Sequence, residues 1–511
     1  MRRKPVPSTG GYLALPNQSA PTNLTANEQL PKYDKATGTR NVCIVGLSLS
    51  WAVSITFIAL APWIFRSSQA FLTRSGAFTI DSAGEHTFFL STASQQVIKL
   101  AVNISISICT DCLGYIHATS LRWALEREGR LYFNSNVRLL ASTRGCSLNR
   151  WSTNIVSAIL LMVCYASSSQ LFLHHNVAQQ QNFVLNGIAI TALGVGILGQ
   201  AIVSTLCLVH SSRLIPTWSS NPLNTALVML HKGSMQHRPG RCMLPVHSKA
   251  APATPTRPSI RQQSLRSAAP AAGHIVYATW ALVVLSAVWS IVVYTISRFR
   301  DNSLSPGALY FYGTGVPVLQ FNLTALLLVV LFQACITLAI HSVELLVNMS
   351  RDENMWRQAC SLPGVQTSYG ALGSVKAALF SWENSVLFVM KPLIHWLLGL
   401  SIGMEDGRLF MNWQGILPLS GLILLLAIFA TVLSRRAPSG TQPAAFGHLQ
   451  SLNDLIDLWP ETIRRPIWWG DKGQIETPNS QSLKGIRHAG TNMSALEVVR
   501  MNHLYAGWNK G

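Results

Sequence analysis

Charge is scarce in this chain. Of 511 residues only 12% are charged, and just 20 are acidic. A soluble domain carries about twice that share, so a large water-soluble enzyme and a disordered polyelectrolyte are both excluded. Catalytic signatures are lacking as well: there is no Gly-x-Ser-x-Gly elbow, no P-loop, no HExxH and no paired histidine box. Zinc-finger, RRM and helix-turn-helix patterns are missing, so the net charge of +19 does not point to nucleic acid. None of the nine cysteines lies in an expected external loop, which leaves no disulfide framework.

What the chain has is apolar length. Hydrophobic residues make up 49% of it, and the mean hydropathy is +0.28. Crossing a bilayer takes about 20 apolar residues in a helix, the form that satisfies its own backbone in lipid. Eight runs qualify: Val42–Phe65, Val97–Ala118, Ile155–Leu173, Val184–Val209, Ile275–Ile296, Phe321–Leu346, Val386–Met404 and Leu409–Leu433. The expected class is all-α, a polytopic helical membrane protein of about eight spans. Seven is the alternative, because the Val386 run carries Lys391, Pro392 and His395.

Basic residues set the orientation. With the N-terminus inside, the cytosolic segments hold 32 Lys and Arg and the external loops hold 5. That asymmetry places both termini in the cytosol, in the plasma membrane or an endomembrane. Anionic lipid headgroups are the partner expected for the basic segments. The organisation reads as a disordered cytosolic N-terminus (1–41), four spans (42–209), a basic disordered cytosolic loop (210–274), four more spans (275–434) and a cytosolic tail (435–511).

The tail shows Phe446, Leu449, Leu452, Leu455, Ile456 and Trp459 at helical spacing, so an amphipathic helix is expected near 445–459. Its acidic residues Asp454 and Asp457 disfavour an anionic leaflet and favour docking on another helix, of this chain or of a protein partner. Trp468 and Trp469 follow, and with Trp459 they are candidate interaction residues. Gly447–Leu452, Trp468–Gly473 and Arg487–Thr491, together with the spans, resemble uncharacterised multi-pass membrane proteins of basidiomycete fungi. The resemblance is clearest over roughly the last 70 residues. It implies an architecture and a fungal source, and it carries over no activity, cofactor or site residue.

Within the spans, Gly194-Val-Gly196-Ile-Leu-Gly199 matches a dinucleotide fingerprint only as a string. Inside an apolar run it reads instead as a small-residue face for close helix packing. Cys109 and Cys112 form a CxxC without further ligands, so no metal is expected. Asp111 is the leading intramembrane candidate, since a carboxylate there is costly and calls for a partner or a polar cavity. Lys391, His395, Gly399 and Gly403 recur every four residues and share one broad helix face; Lys391 is a candidate partner for Asp111. His341 and Glu344 read as an interfacial pair. No cofactor is implied. The first functional reading is a non-enzymatic scaffold or sensor with cytosolic interaction tails. The alternative is a secondary transporter using the polar intramembrane residues. A membrane enzyme comes third, for want of an assembled acid, base or nucleophile.

Overall fold

Short polar caps mark where several helices begin. The Asn186 side chain accepts from the Ile188 and Ala189 amides, Asn412 from Gln414, and Ser381 from Asn384. Each satisfies backbone donors that a helix start leaves unpaired. The computed structural model describes residues 32–75, 92–137, 140–177, 180–248, 254–299, 308–312, 318–370, 373–405, 408–474 and 485–506. Most of the expected N-terminal tail, 1–31, lies outside them.

Twelve helices are described: α1 (Thr37–Ser75), α2 (Thr92–Arg127), α3 (Trp151–Ser169), α4 (Gly187–Ser211), α5 (Pro222–His231), α6 (Leu265–Ala268), α7 (Ala271–Phe299), α8 (Val318–Arg357), α9 (Gly373–Phe380), α10 (Trp382–Ser401), α11 (Trp413–Arg435) and α12 (Leu449–Leu455). Seven of them, α1, α2, α3, α4, α7, α8 and α11, are long and apolar enough to cross a membrane. Their outward faces carry Val45, Leu49, Val284, Leu285, Leu327, Leu331 and Leu425, all exposed. In water so much apolar surface would drive aggregation; in lipid it is solvated.

The expected seventh run forms α10, which falls outside that apolar set. It packs against α2, α3, α8 and α11 at once. A helix ringed by protein has little lipid to face, which is why its sequence tolerates Lys391 and His395. Its first turn, at Glu383, bonds Ser350 and Asn354 near the end of α8. Just beyond its other end, the Ile402 carbonyl accepts from Gln170, which follows α3.

Strands are an addition to the expected all-α class. The connections after α3, α7 and α10 form one five-stranded sheet from β1 (Phe172–Val177), β2 (Gln180–Leu185), β3 (Ala308–Tyr312), β4 (Ile402–Glu405) and β5 (Arg408–Asn412), in the order β2-β1-β4-β5-β3. Apolar residues at the edges of the expected spans therefore sit in strands. At the opposite end, β6 (Trp468–Gln474), β7 (Ile486–Asn492) and β8 (Leu504–Tyr505) make a three-stranded sheet. The two ends are called here the sheet end and the tail end.

The central segment differs from expectation. Residues 211–248 are ordered, and α5 buries Leu223, Ala226, Leu227 and Val228 completely. Residues 254–268 run along the tail, pairing Thr256 with Tyr505 and Arg261 with Ser439. Low local hydropathy hid this, because the apolar partners are supplied from elsewhere: α5, α12, the end of α8 and the tail sheet share one core with Trp356, Leu449, Leu452 and Trp469. The tail helix is shorter than expected, seven residues rather than fifteen, and it docks on α5.

Candidate functional site

Three helices bring charge into the bundle. Lys391 of α10 is 5% exposed and donates to Asp111 Oδ1 of α2 at 2.9 Å and to Glu344 Oε2 of α8 at 3.2 Å. His341, one turn earlier on α8, places Nδ1 3.1 Å from the same Glu344 oxygen. Lys391 therefore turns inward rather than snorkelling to an interface. Asp111 lies well inside α2, sixteen residues before that helix ends at Arg127. His341 and Glu344, expected as a separate interfacial pair, belong to the same cluster.

Charge counting gives the cluster its chemistry. Two carboxylates face one ammonium, and in a medium of low polarity the surplus negative charge calls for a proton or a cation. The His341 ring and the carboxylates themselves can hold that proton. The two carboxylates are about one-third exposed, at 37% and 34%, while Lys391 is shielded.

His395 lies one turn beyond Lys391 on α10. Its ring stacks on Tyr165 of α3, centroids 3.6 Å apart, and bonds the Gln333 side chain of α8. The Tyr165 hydroxyl meets Ser107 Oγ at 3.2 Å, and Asn103 Oδ1 accepts from Ser168 Oγ at 2.9 Å. Lys99 completes the α2 stripe towards the sheet end, buried with its ammonium 5.8 Å over the Phe172 ring. On α8, Gln333 Oε1, Thr337 Oγ1 and His341 Nε2 are buried without hydrogen-bond partners among the described residues, as is His395 Nε2.

Sequence reading missed Gln333, Thr337 and Tyr165, and it set Glu344 apart. The signal was present: Gln333, Thr337, His341 and Glu344 recur at intervals of four, four and three on one apolar helix, and Lys99, Asn103, Ser107 and Asp111 recur every four on another. Such stripes inside a span mark a face turned away from lipid.

Glycines set the helix spacing around this core. A Cβ at Gly196 would sit 2.7 Å from Cys164 Sγ of α3, and one at Gly194 would sit 2.9 Å from Ile58 of α1. Close helix packing is thus what the glycine string provides. Gly399 meets Ser169 of α3 in the same way, at 2.9 Å. Gly403 leaves the expected helix face, because α10 ends at Ser401 and Gly403 lies in β4 beneath Phe410. Cys109 and Cys112 are free thiols, and no group of metal-ligating side chains occurs among the described residues.

The helices that carry the cluster also hold the tail unit, which is the tail together with the α2–α3 connection and the segment around α5 that share its core. On α2, Arg122 donates to the Ser219 carbonyl at 2.8 Å, and Glu126 bonds Lys232 at 2.6 Å. On α8, Glu353 Oε2 accepts from the Ala445 and Phe446 amides, Asp352 from Asn134 and Ser135, and Trp356 donates to the Pro443 carbonyl. On α10, Glu383 pairs with Arg436 at 3.4 Å. From Asp111 to Glu126 the helix climbs about 22 Å at 1.5 Å per residue.

Within the tail, Trp469 is buried, Trp459 packs against the same core, and Trp468 lies over Gly364. All three therefore serve the packing of this chain. Asp457 accepts from Lys472, His488 and the Thr491 amide. Burial opposes its charge, but these donors outweigh that and hold its carboxyl well below the usual range. Burial likewise opposes charge on His488, yet the Asp457 carboxylate lifts it to about 9. No family model, curated protein or solved structure matches this chain.

Proposed function

We propose that this chain is an eight-span integral membrane protein with both termini in the cytosol, and that it is a non-enzymatic proton sensor. In this reading the bundle core takes up and releases one proton, and the tail unit responds. The observation that carries it is the sharing of Lys391 between Asp111 and Glu344, on three helices whose ends are bonded to the tail unit. Protonating one carboxylate removes its attraction to Lys391 and frees the helices to shift by small amounts. Packed interfaces convert such shifts into discrete changes rather than gradual ones.

Eight spans follow if α10 crosses beside α11. Its burial among four helices supports this, and the basic segments then lie on one side, against anionic headgroups. A reporter fused to each terminus should read the same, cytosolic, side.

The polar stripes on α2 and α8 favour a second reading, a secondary transporter in which the same cluster couples proton movement to a solute. One experiment separates them. Purified chain in liposomes is followed for proton flux, and hydrogen exchange of the tail is followed against pH. The sensor reading expects no flux and, on a His488→Gln background that removes the tail's own alkaline titration, tail protection that changes with pH but stops doing so once Asp111→Asn is added. Flux abolished by Asp111→Asn moves the assignment to a transporter. A tail indifferent to pH in both proteins overturns the sensor.

A further inference from the structure

We propose that the half-open cavity at the tail end of the bundle is a binding site for a phosphate-bearing ligand with an apolar body. The site is independent of the proton cluster and does not rest on the sensor reading. Its volume is about 910 Å³, within the usual range for small-molecule sites. Three stretches distant in sequence build it: the end of α2, the segment after α5, and α12.

Cations exceed carboxylates there. Asp454 is 4% exposed and takes Arg238 at 2.5 Å and Arg241 at 3.3 Å. That one carboxylate is shared by the two guanidinium groups. Glu126 is matched by Lys232 at 2.6 Å. Arg127, exposed at the rim, forms no ion pair among the described residues. Three lining arginines therefore face two lining carboxylates, one of which is already matched by Lys232. Arg238 keeps nearly half of its side chain exposed even while bonded to Asp454, so part of its donor fork faces outward. Planar guanidinium forks match phosphate oxygens two at a time.

The rest of the wall is apolar. Leu131, Met229 and Leu244 line the cavity and are buried. His448, also in the wall, is pushed down to about 4 by burial, with His247 and Arg238 adding to the effect, so it is neutral at physiological pH. Excess positive charge beside an apolar wall suits a phosphate ester better than a bare ion. Such an ester can come from the membrane as a phospholipid or from water as a soluble compound, and the recognising chemistry is the same.

The test uses the purified full chain. One arm reconstitutes it in phosphatidylcholine nanodiscs with and without phosphatidic acid, and the other titrates it with phenyl phosphate. Binding is read by thermal shift and by native mass spectrometry. The variants are Arg127→Gln, at a rim position without an ion pair among the described residues, and Arg238→Gln, which leaves Asp454 bonded to Arg241. Each is expected to weaken binding about tenfold, roughly 1.4 kcal/mol. Binding of phosphatidic acid alone assigns the membrane source, and binding of phenyl phosphate alone the soluble one. Failure of both probes on the wild type, or equal affinity for wild type and both variants, overturns the site.

Discussion

Asp111 and Lys391 stand 280 residues apart in the chain and 2.9 Å apart in the bundle. Each lies in an apolar run where an isolated charge would be expensive. Together, with Glu344 as a second acceptor, they turn two unfavourable burials into one ion cluster. Removing the cation leaves two carboxylates facing each other. Lys391→Met should therefore destabilise the chain by on the order of 3 kcal/mol, as expected for breaking a buried pair by deleting one partner. Thermal unfolding in detergent measures this. Asp111→Asn on the Lys391→Met background should add much less than it does alone; full additivity would mean that the two groups do not interact.

The glycines offer a paired comparison. Gly196 has Cys164 and the Leu160 carbonyl oxygen where a Cβ would go, whereas Gly421 on α11 has nothing within 4 Å. Gly196→Val should cost about 2–3 kcal/mol through overpacking. Gly421→Ala should stabilise by about 0.5–1 kcal/mol, since alanine loses less backbone freedom on entering a helix. Equal melting temperatures for the two variants would contradict the assigned α3–α4 contact.

The tail should show its own pH dependence. His488 is raised to about 9 in the folded chain from about 6.5 when unfolded. Its contribution is therefore complete below about pH 6.5 and disappears as the pH climbs through about 9. Asp457 is depressed, so its contribution is present above about pH 4 and fades as the pH falls towards its folded value. Between those limits the pair is at full strength. His488→Gln should flatten the alkaline limb, which is worth on the order of 3 kcal/mol. Hydrogen exchange along β6 and β7 reads the effect, and an unchanged alkaline limb in the variant would refute it.

Trp469 anchors the tail sheet to the core it shares with Trp356 and Leu452. Trp469→Ala should cost about 3–5 kcal/mol of tail stability. Limited proteolysis should then clip the tail while the spans stay in the membrane fraction. A tail as resistant as the wild type's would place its main anchor elsewhere.

The lipid-facing part of this chain was legible from its residues, because hydropathy acts locally. A long apolar run such as Leu409–Leu433 needs no partner to declare a buried or membrane-bound helix, and the glycines of α4 declare a close neighbour without saying which. The polar stripes are local patterns too, yet only Asp111, Lys391, His395 and the His341–Glu344 pair stood out from them, while Gln333 and Thr337 did not. What stayed hidden depended on contacts between distant segments. Lys391 stood out as a candidate partner for Asp111, but that Glu344 joins the pair depends on α8 and α10 both passing beside α2, and no local pattern states that. The strands at the sheet end looked like span edges, because Leu409 and Phe410 are as apolar as any helix residue. The segment around α5 looked coreless, because Trp356, Leu449 and Leu452, far away in sequence, complete its core. The sequence by itself determined which stretches must leave water, since that is a property of each side chain. Tertiary structure alone decided which charges meet, since pairing is a property of two positions at once.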